Sequence, residues 1–297
     1  MGNKELPHVT IILPNWNDGE KVIRCLDSIS KLNYPSYDVI VIDNYSTDGS
    51  KEDIKKKFKK VKIIENQENL GCVKAINQGF ESAKGPFVLR LDSDVILEKN
   101  ILKELVNVFT SNSHSGIVFP KLYYYSDKRR IDNIGFSISL KTGKADRNRI
   151  DKIDNGQFEK SVSVDAVPGS VLLTTKKIVL EVGPVSEDFF LFYEDADWCY
   201  RIRKKGYKII YAPKAKAWHD CNKKAINPFK MYHYMRSKVL FIKRNSSFFQ
   251  KTIFFTFLFG FYIPFMLSNF LLKGNFSLIT PFIKGTKDGL TKATTLH

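Results

Sequence analysis

Two clusters of acidic residues in this sequence follow apolar runs, at points where predicted strands end. Asp92 and Asp94 come directly after the apolar run 87–91. Two carboxylates separated by one residue on an extended segment can hold one divalent cation, and a cation held by so few protein ligands usually shares a diphosphate. An Asp-x-Asp triplet alone is more commonly a solvated turn. His219 adds weight, because a neutral imidazole can complete a metal site that Asp94 begins.

The second cluster contains Glu194, Asp195 and Asp197, directly behind the apolar run 189–193. Acids at the edge of an apolar pocket tend to have raised pKa values, and such a group can take the proton of an acceptor hydroxyl as a general base. The same acids also suit the first turn of a helix, where they favour the helix dipole. Both interpretations can hold together, with one acid at the helix start and another in a reaction.

Polar residues also follow the first two apolar runs of the chain. The segment 14–17, with the sequence PNWN, follows the run 9–13, and Asp43 with Asn44 follows the run 39–42. An amide and a carboxylate in this position can bind a base edge or a ribose, although an ordinary Asx turn explains Asp43 and Asn44 equally well.

The elements that position these residues alternate between strand and helix. Short β-branched runs predict buried strands, and apolar residues at helical spacing predict the helices between them. This alternation is typical of an α/β protein with a mainly parallel sheet covered on both faces, which binds ligands at the carboxyl ends of its strands. The predicted strands are 9–13, 39–42, 61–64 and 87–91, and the predicted helices are 18–32, a Lys-rich helix opened by a capping box of Ser50 and Asp53, 72–83 and one from Asn100.

The second half of the chain predicts a β-rich middle followed by helices. The polar stretch 141–157 predicts a loop or a hairpin excursion, and the basic stretch 227–245 predicts a helix that leads to an apolar tail. The other predicted elements are strands at 161–167, 170–175 and 207–211, an extended segment at 213–219 and a helix at 194–205.

The positive charge of the chain is concentrated near this tail. The 297 residues carry a net charge of +16, of which the window 201–251 supplies +14, from 15 Lys or Arg and one acid. The next segment, 252–272, has 21 residues and no charge, which is long enough for a membrane span. A basic collar beside an apolar segment indicates the cytoplasmic face of an anionic membrane and argues against nucleic acid. Gly260, Pro264 and Asn269 interrupt the segment, so it predicts either a single span or a bent hairpin in the interface, with a buried core helix as the third alternative.

Several common enzyme classes lack their motifs here. No G-x-G-x-x-G follows a predicted strand, and the chain contains neither a phosphate-binding G-x-x-x-x-G-K-[ST] loop nor a G-x-S-x-G elbow. The sequence therefore argues against a dinucleotide oxidoreductase, a P-loop NTPase and an α/β-hydrolase.

The order of the segments resembles family 2 glycosyltransferases with the GT-A fold. The resemblance covers about 9–219, and its last block, from the VPGSV strand through YEDAD, is similar to the rhamnosyltransferase-like branch. The segments that carry it are VTIILPNWN, VIVIDNYSTDGS, ENLGCVKAINQGF, VLRLDSDVIL and VPGSVLLTTKKIVLEVGPVSEDFFLFYEDADWCYRIRKKGYKIIYAPKAKAWH.

The resemblance implies a role for each matching residue. Asp195 matches the catalytic base, with Glu194 beside it, and Asp197 and Trp198 would help to form the acceptor site. Asp94 would hold Mg²⁺ or Mn²⁺ on the donor diphosphate, Asp92 would contact ribose or metal, and His219 would be a second metal ligand. The nucleotide pocket would be lined by Pro14, Asn15, Asn17, Asp43 and Asn44, with Asn69 and Gly71 beside the base or ribose.

The chain also departs from the family pattern. Trp16 stands where Tyr or Phe is commoner, and Val185-Ser186 replaces the usual Phe-Asp, which affects packing on the acceptor side. The Q-x-x-R-W motif of processive synthases is absent, since the corresponding segment 233–236 reads HYMR. Processive polymerisation is therefore disfavoured.

The prediction is an inverting, metal-dependent hexosyl- or rhamnosyltransferase-like enzyme. It would use a nucleotide-sugar donor and a glycan or lipid-linked acceptor at the cytoplasmic membrane face. A GT-A domain is predicted at 1–222 and a membrane-associated tail at 223–297. Two alternatives stay open: an inactive membrane-surface binding protein with a transferase-like domain, and a sugar nucleotidyltransferase. The latter would need a Gly-rich loop with Arg and Lys after the first strand, which the segment 14–19 does not supply.

Overall fold

A computed structural model describes residues 6–146, 151–221 and 226–291. The strands are β1 (Val9–Asn15), β2 (Tyr37–Asp43), β3 (Lys62–Glu65), β4 (Phe87–Leu91), β5 (Val95–Leu97), β6 (Ser115–Tyr124), β7 (Ile131–Asn133), β8 (Ser137–Ile138), β9 (Ala145–Asp146), β10 (Val162–Val164), β11 (Val171–Thr175) and β12 (Lys208–His219). The helices are α1 (Gly19–Ile29), α2 (Ser50–Lys57), α3 (Cys72–Ser82), α4 (Ile101–Thr110), α5 (Lys176–Val182), α6 (Glu194–Lys204), α7 (Pro228–Asn245), α8 (Phe248–Phe257), α9 (Ile263–Leu272) and α10 (Ile279–Thr291).

The main sheet has a parallel half and a mixed half. Its order is β10-β12-β6-β11-β4-β1-β2-β3, with β5 on β12 and β7 on β6. The pairs among β4, β1, β2 and β3 are parallel, as is β6 with β12, whereas β11 runs antiparallel between β4 and β6. The carboxyl ends of the parallel strands therefore meet at one edge, as the alternation of elements predicts.

Helices cover both faces of this sheet. Because successive strand residues point to opposite faces, Ile12 packs in the cluster that contains α3 and α6, while Ile11 and Leu13 pack with α1 and α4. Gly79 lies in the middle of α3, where an added Cβ would come within 2.9 Å of the Ile12 side chain. The absence of a side chain at this position lets α3 approach the sheet closely.

The predicted elements of the first half are present with shifted ends, but the predicted capping box is wrong. Ser50 is the first residue of α2, its N-cap is Gly49, and no side chain caps this helix. The Ser50 hydroxyl instead donates to Asp48 and accepts a hydrogen bond from the Asn15 amide. The residue is therefore used to close the loop between β2 and α2 onto the end of β1.

In the second half, two predicted segments form one long strand. β12 continues through Pro213 because the register with β6 shifts between Ala212 and Lys216, which removes the proline from the hydrogen-bonded ladder. The strand predicted at 161–167 is shorter, spanning Val162–Val164. Part of the predicted excursion at 141–157 forms the β8–β9 hairpin.

The C-terminal helices pack on the sheet domain. Residues of α7, including Met235 and Val239, belong to the same core cluster as Trp198 of α6. The helix α7 begins after Asn227, whose side chain accepts from the Lys230 amide, so the predicted basic helix is confirmed. The predicted domain boundary between 222 and 223 lies outside the described residues.

The apolar segment is one continuous helix and not a bent hairpin. α8 and α9 are joined by a π-helical turn over Leu258–Tyr262. Pro264 cannot donate a backbone hydrogen bond, and the wider turn before it accommodates that loss without breaking the helix. By length and composition Phe248–Leu272 is the one helix of the described chain that can cross a membrane.

Candidate active site

The ends of β1 and β2 form a buried polar pocket at the edge of the sheet. Asn15 and Asp43 are the last residues of their strands and are paired in register. The Asn15 amide nitrogen lies within hydrogen-bond distance of three acceptors, Asp43 Oδ1 at 2.9 Å and the Ser46 and Ser50 hydroxyls at 3.0 Å each. Its Oδ1 atom is buried without a hydrogen-bond partner. An unpaired buried acceptor of this kind fits a donor group on a bound base or ribose.

Asn44 connects this pocket to the loop before α3. Its Nδ2 atom donates to Asn69 Oδ1 at 2.7 Å, and its Oδ1 accepts from the Leu70 amide at 3.0 Å. Gly71 follows with a φ of +85°, which turns the chain into α3. The predicted residues Asn44, Asn69 and Gly71 therefore lie together, with the two asparagines holding the shape of the loop.

Asn17 and Pro14 complete this edge. Asn17 has a φ of +54°, and its Oδ1 accepts from the Thr47 amide at 2.7 Å. Pro14 is half-buried in β1, opposite Ile42. The rings of Trp16 and Tyr45, which were not predicted as site residues, are each 53% exposed beside the pocket. Exposed rings at this edge are suited to stacking on a base.

A second group of predicted residues converges where β12 ends. His219 Nε2 lies 3.3 Å from Asp94 Oδ1, and His219 Nδ1 lies 2.8 Å from Asp132 Oδ2. Burial lowers the pKa of His219, but its hydrogen bonds to the two carboxylates outweigh burial and raise the pKa far above its usual range. Asp132, His219 and Cys221 offer ligand atoms within 4.8 Å of one another.

Asp92 is the acid at this edge of the sheet that has no direct side-chain partner among the described residues. Within the described residues its carboxylate makes no hydrogen bond or ion pair. Burial is the main cause that raises the pKa of Asp92 to about 6; the charge of Arg90 opposes it and the charge of Asp94 adds to it. Asp18 lies close by, hydrogen-bonded to Ser93, and burial also raises its pKa.

This set of donors fits a divalent cation. Carboxylate oxygens and an imidazole nitrogen are ligands that Mg²⁺ and Mn²⁺ accept, and the partly buried Asp92 carboxylate would be stabilised by added positive charge. Asp92, Asp94 and His219 are the residues that would hold it. Asp132 would orient the His219 ring through Nδ1, and Nε2, which faces Asp94 Oδ1, would be the nitrogen that binds the metal together with Asp94.

The predicted catalytic base is held by two donors from distant parts of the chain. Asp195 Oδ1 accepts from Arg90 at 2.7 Å, and Asp195 Oδ2 accepts from the Gly169 amide at 2.7 Å. A Cβ on Gly169 would lie 2.1 Å from the Arg90 guanidinium carbon, so only glycine leaves room for this ion pair. The carboxylate remains one-fifth exposed, whereas Arg90 is buried.

The chain takes a sharp turn directly before this base. Phe192 and Tyr193 both have positive φ values, 66° and 65°, although neither is glycine. Such conformations are unfavourable and concentrate at functional sites. The turn delivers Glu194 and Asp195 as the first two residues of α6, so the predicted helix start is confirmed.

Glu194 lies beside Asp195 in a buried position. Burial raises its pKa to about 8, with the Asp195 charge adding to the effect, and its Oε2 atom has no hydrogen-bond partner. Glu194 is therefore largely protonated at neutral pH. Its neutral carboxyl group is a poor proton acceptor, which leaves Asp195 as the better candidate base.

This shift makes the stability of the folded protein depend on pH. Between pH 4.5 and about 8 the folded state holds a proton on Glu194 that the unfolded chain releases, so the free energy of unfolding falls as pH rises. We expect Glu194→Gln to remove up to about 1.4 kcal/mol per pH unit of this slope. Denaturant unfolding at pH 5, 6.5 and 8 measures it, with the half-exposed Glu187→Gln as control. Equal slopes in all three proteins would contradict a buried, protonated Glu194.

Asp197 and Trp198 do not face the acceptor side as predicted. Both side chains are fully buried. Asp197 accepts from Arg201 Nε at 3.0 Å and from Asn245 at 2.9 Å, and the Trp198 indole donates to the Gly183 carbonyl at 3.0 Å. Successive residues of a helix point in different directions around its axis. Asp197 and Trp198, two and three residues after Asp195, therefore lie on the face of α6 that packs in the core. We therefore correct their assignment to packing of α6 against α7.

Exposed aromatic rings form the rim between the sheet edge and α7. Phe190 is 51% exposed and Phe229 is 55% exposed, with ring centroids 6.0 Å apart. Phe190 also stacks on His233 at 4.7 Å and lies 3.5 Å from the position of a Cβ on Gly71. These rings place an apolar surface next to the nucleotide pocket. We call Phe190, Phe229 and His233 the rim aromatics.

A separate cavity lies away from this edge. It has a volume of about 330 Å³ and is lined by residues such as Leu140, Ala196, Tyr200 and Phe241, between α6 and α7. Its lining includes none of the predicted site residues. The strand ends carry the predicted carboxylates and amides, whereas this partly open cavity, lined by polar residues such as Asp165 and Arg203 as well as by apolar ones, carries none of them.

Three residues of the site were missed from the sequence. Arg90 reads as part of a buried strand, Asp132 stands in the three-residue strand β7, and Asp18 reads as a helix cap. Arg90 is the one with a usable signal, because a charged residue inside an apolar strand requires a buried counter-ion.

Comparison with known proteins gives a consistent result. The profile of the family described as Glycosyl transferase family 2 matches residues 10–172. The glycosyltransferase AglE of Haloferax volcanii is 27% identical over 216 residues, which cover 70% of this chain and 65% of AglE. The poly-beta-1,6-N-acetyl-D-glucosamine synthase of Staphylococcus aureus is 26% identical over 216 residues, covering 72% of this chain and 50% of the synthase. This chain thus spans between half and two thirds of the length of these relatives.

Solved structures share the fold. A crystal structure of GalNAc-T7 with UDP, GalNAc and Mn²⁺ superposes with a TM-score of 0.65 and 17% identity, over 79% of this chain and 49% of that one. The structure of S. aureus TarS 1-349 superposes with a TM-score of 0.59 and 18% identity, over 94% of this chain and 81% of that one. At these identities the similarity establishes the GT-A fold.

Proposed function

Because this chain belongs to glycosyl transferase family 2, we propose that it transfers a sugar from a nucleoside-diphosphate donor to a hydroxyl group, with inversion at the anomeric carbon. The observation that carries this proposal is the convergence of three parts at one edge of the sheet. A polar pocket lies around Asn15 and Asp43, an acidic cation site around Asp92 and Asp94, and a positioned carboxylate at Asp195.

The donor nucleotide would bind at the ends of β1 and β2. Asp43 and the unpaired Oδ1 atom of Asn15 would offer acceptors for the base or the ribose. Asn44 and Asn69 hold the loop that brings Gly71 to the same pocket. The absence of a side chain at Gly71 lets the backbone approach the nucleotide closely.

The diphosphate would lie beside the acidic cluster. A divalent cation held by Asp92, Asp94 and His219 would neutralise charge on the departing nucleoside diphosphate. Lys21, whose Nζ lies 3.8 Å from Asp94, brings a further positive charge to this position. The donor chemistry of these side chains suits Mg²⁺ or Mn²⁺.

Asp195 would take the proton of the acceptor hydroxyl. Arg90 and the Gly169 amide each bind one of its oxygens, so the carboxylate is oriented before the acceptor arrives. Attack from the face opposite the leaving group inverts the anomeric carbon. The resemblance to the rhamnosyltransferase-like branch supports a hexosyl or deoxyhexosyl group as the sugar that is transferred.

The acceptor would be a glycan or a lipid-linked sugar at the cytoplasmic face of an anionic membrane. The rim aromatics, the apolar helix and the basic C-terminal region support this assignment. The division into a catalytic part at 1–222 and a membrane-associated part at 223–297 belongs to the same proposal.

The decisive experiment is transfer or donor hydrolysis across a panel of UDP, GDP and dTDP sugars, with Mn²⁺, with Mg²⁺ and with EDTA. We expect metal-dependent release of one nucleoside diphosphate. Formation of a sugar nucleotide from a sugar phosphate and a nucleoside triphosphate would instead establish a nucleotidyltransferase. No turnover by folded protein that also fails to bind nucleotide would establish an inactive membrane-binding protein.

A further inference from the structure

The apolar helix Phe248–Leu272 does not stand alone in the structure. It follows α7 after the short link Ser246–Ser247 and returns alongside it, because Lys238 Nζ of α7 lies 4.3 Å from the centroid of the Tyr262 ring. Phe254 and Leu258 belong to the same core cluster as α7. The long helix and α7 therefore form an antiparallel pair.

A third helix completes the layer. In α10, a Cβ on Gly285 would lie 2.3 Å from the Tyr232 carbonyl oxygen, and a Cβ on Gly289 would lie 2.7 Å from that of Arg236. These two contacts advance together along both chains, so α10 runs parallel to α7 and close to it. Phe282 of α10 packs against Tyr262 and Phe270 of the long helix.

This packing is incompatible with a helix that crosses the membrane. A crossing would carry the adjacent α7 to bilayer depth together with its charged residues. Arg236 and Ser237, near the middle of α7, donate hydrogen bonds to the Asp188 and Leu191 carbonyls of the catalytic part, which would have to enter the bilayer as well. Charged groups at the bilayer centre are strongly unfavourable.

The outer side of the long helix is nevertheless apolar and open. In its most apolar stretch of 18 residues, only 11% of the residues are buried inside the structure. The exposed residues recur at helical spacing and include no charge between Thr252 and Leu272. We call them the phenylalanine face; its large members are Phe248, Phe249, Phe259, Phe261, Phe265, Leu271 and Leu272.

Positive charge surrounds this face. Lys251 and Lys273 flank the uncharged stretch at either end, and Lys284 and Lys287 are exposed on α10. Residues 226–291 carry nine Lys or Arg and one acid, Asp288, which gives +8. An apolar helix face flanked by lysines matches the acyl-chain boundary of a membrane beneath anionic headgroups.

We propose that the long helix lies in the plane of an anionic membrane, with the phenylalanine face inserted at the acyl-chain boundary, and does not cross the bilayer. The catalytic edge lies next to this helical layer, because Tyr232 of α7 donates to Asp288 of α10 and the adjacent His233 is one of the rim aromatics. The role that we give to this orientation is delivery of a lipid-linked acceptor, and that role rests on the proposed transferase function. The orientation itself does not depend on that function.

Cysteine labelling in inside-out vesicles tests the topology with the full chain. Cys72 and Cys221 are replaced by serine, since Cys25 and Cys199 are buried, and single cysteines are introduced by Ser247→Cys and Lys273→Cys. We expect an impermeant maleimide to label both positions from the cytoplasmic side. Labelling of Lys273→Cys only from the opposite side would overturn the proposal.

Vesicle flotation tests the inserted face with purified protein. We expect binding to vesicles of phosphatidylcholine with phosphatidylglycerol, and about a tenfold or greater loss of affinity for the double variant Phe261→Ser with Phe265→Ser. Leu180→Ser is the matched control, since Leu180 is 76% exposed on α5, away from the layer. Equal binding by all three proteins would contradict insertion of the phenylalanine face.

Both readouts are independent of turnover. If the transfer assay fails while labelling and flotation give the expected results, the transferase function is rejected and the in-plane helix is retained. The reverse outcome would reject the in-plane helix and keep the enzyme.

Discussion

Replacing Asp195 by asparagine is expected to lower the rate of sugar transfer by about 10²- to 10⁴-fold, the usual contribution of a general base. The carboxylate is the partly exposed acid at the sheet edge, whereas its neighbour Glu194 is buried and largely protonated. Asparagine keeps the shape of the side chain but cannot accept the proton. Steady-state kinetics with the donor found in the panel measure the change in kcat.

Donor affinity separates this role from a structural one. Asp195 also binds Arg90 and the Gly169 amide, so its replacement disturbs local contacts. Isothermal titration with the donor nucleotide and thermal unfolding are therefore measured on the same variant. We expect unchanged donor affinity, and Asp165→Asn, which removes an exposed ion pair with Arg203, serves as a matched control. Equal losses of donor binding and of transfer would make Asp195 a structural residue.

Replacing Asp94 by asparagine is expected to lower transfer by about 10³-fold or more. Charge stabilisation by a bound cation is worth several kcal/mol, and the Asp94 carboxylate is the predicted ligand nearest to His219. EDTA should have the same effect on the native protein, and Mn²⁺ should reverse it in the native protein but not in the variant.

Manganese binding provides a readout without turnover. Electron paramagnetic resonance of free Mn²⁺, in the presence of the nucleoside diphosphate, measures the affinity of the site. Asp127→Asn is the control, because Asp127 pairs with Arg130 on the surface. Native Mn²⁺ affinity in Asp94→Asn would move the cation site to other residues, of which Asp132, His219 and Cys221 are the nearest group.

The parts of the site that the sequence predicts are those defined by neighbours in the chain. Asn15, Asp43 and Asp92 each follow an apolar strand, and a parallel sheet brings such ends together whatever the details of packing. The parts that it misses depend on distant pairs. His219 meets Asp132 across 87 residues and Arg90 meets Asp195 across 105, and no local pattern encodes either contact.

Helix orientation is the other limit of sequence reasoning. Glu194, Asp195 and Asp197 follow the apolar run 189–193, and their spacing along a helix lets only two of them face the candidate active site. Which one turns inward depends on α7, whose Asn245 and Arg244 approach Asp197 from the C-terminal region. The apolar tail is a second example of a helix whose orientation the sequence does not define. Its composition permits a membrane span, and only its contacts with the neighbouring helices show how it packs.

The ion pair between Arg90 and Asp195 also constrains how this protein is made. Arg90 lies in β4, whereas its partner and the adjacent strand β11 are encoded about 80 to 105 residues later. At about 5–20 residues per second, the ribosome needs roughly 5–20 s to supply Asp195 after Arg90. Until then the first four parallel strands carry Arg90, without its ion-pair partner Asp195, at the edge that β11 will cover. We expect this half of the sheet to close only after α6 has left the ribosome, so that the ion pair between Arg90 and Asp195 forms late in co-translational folding.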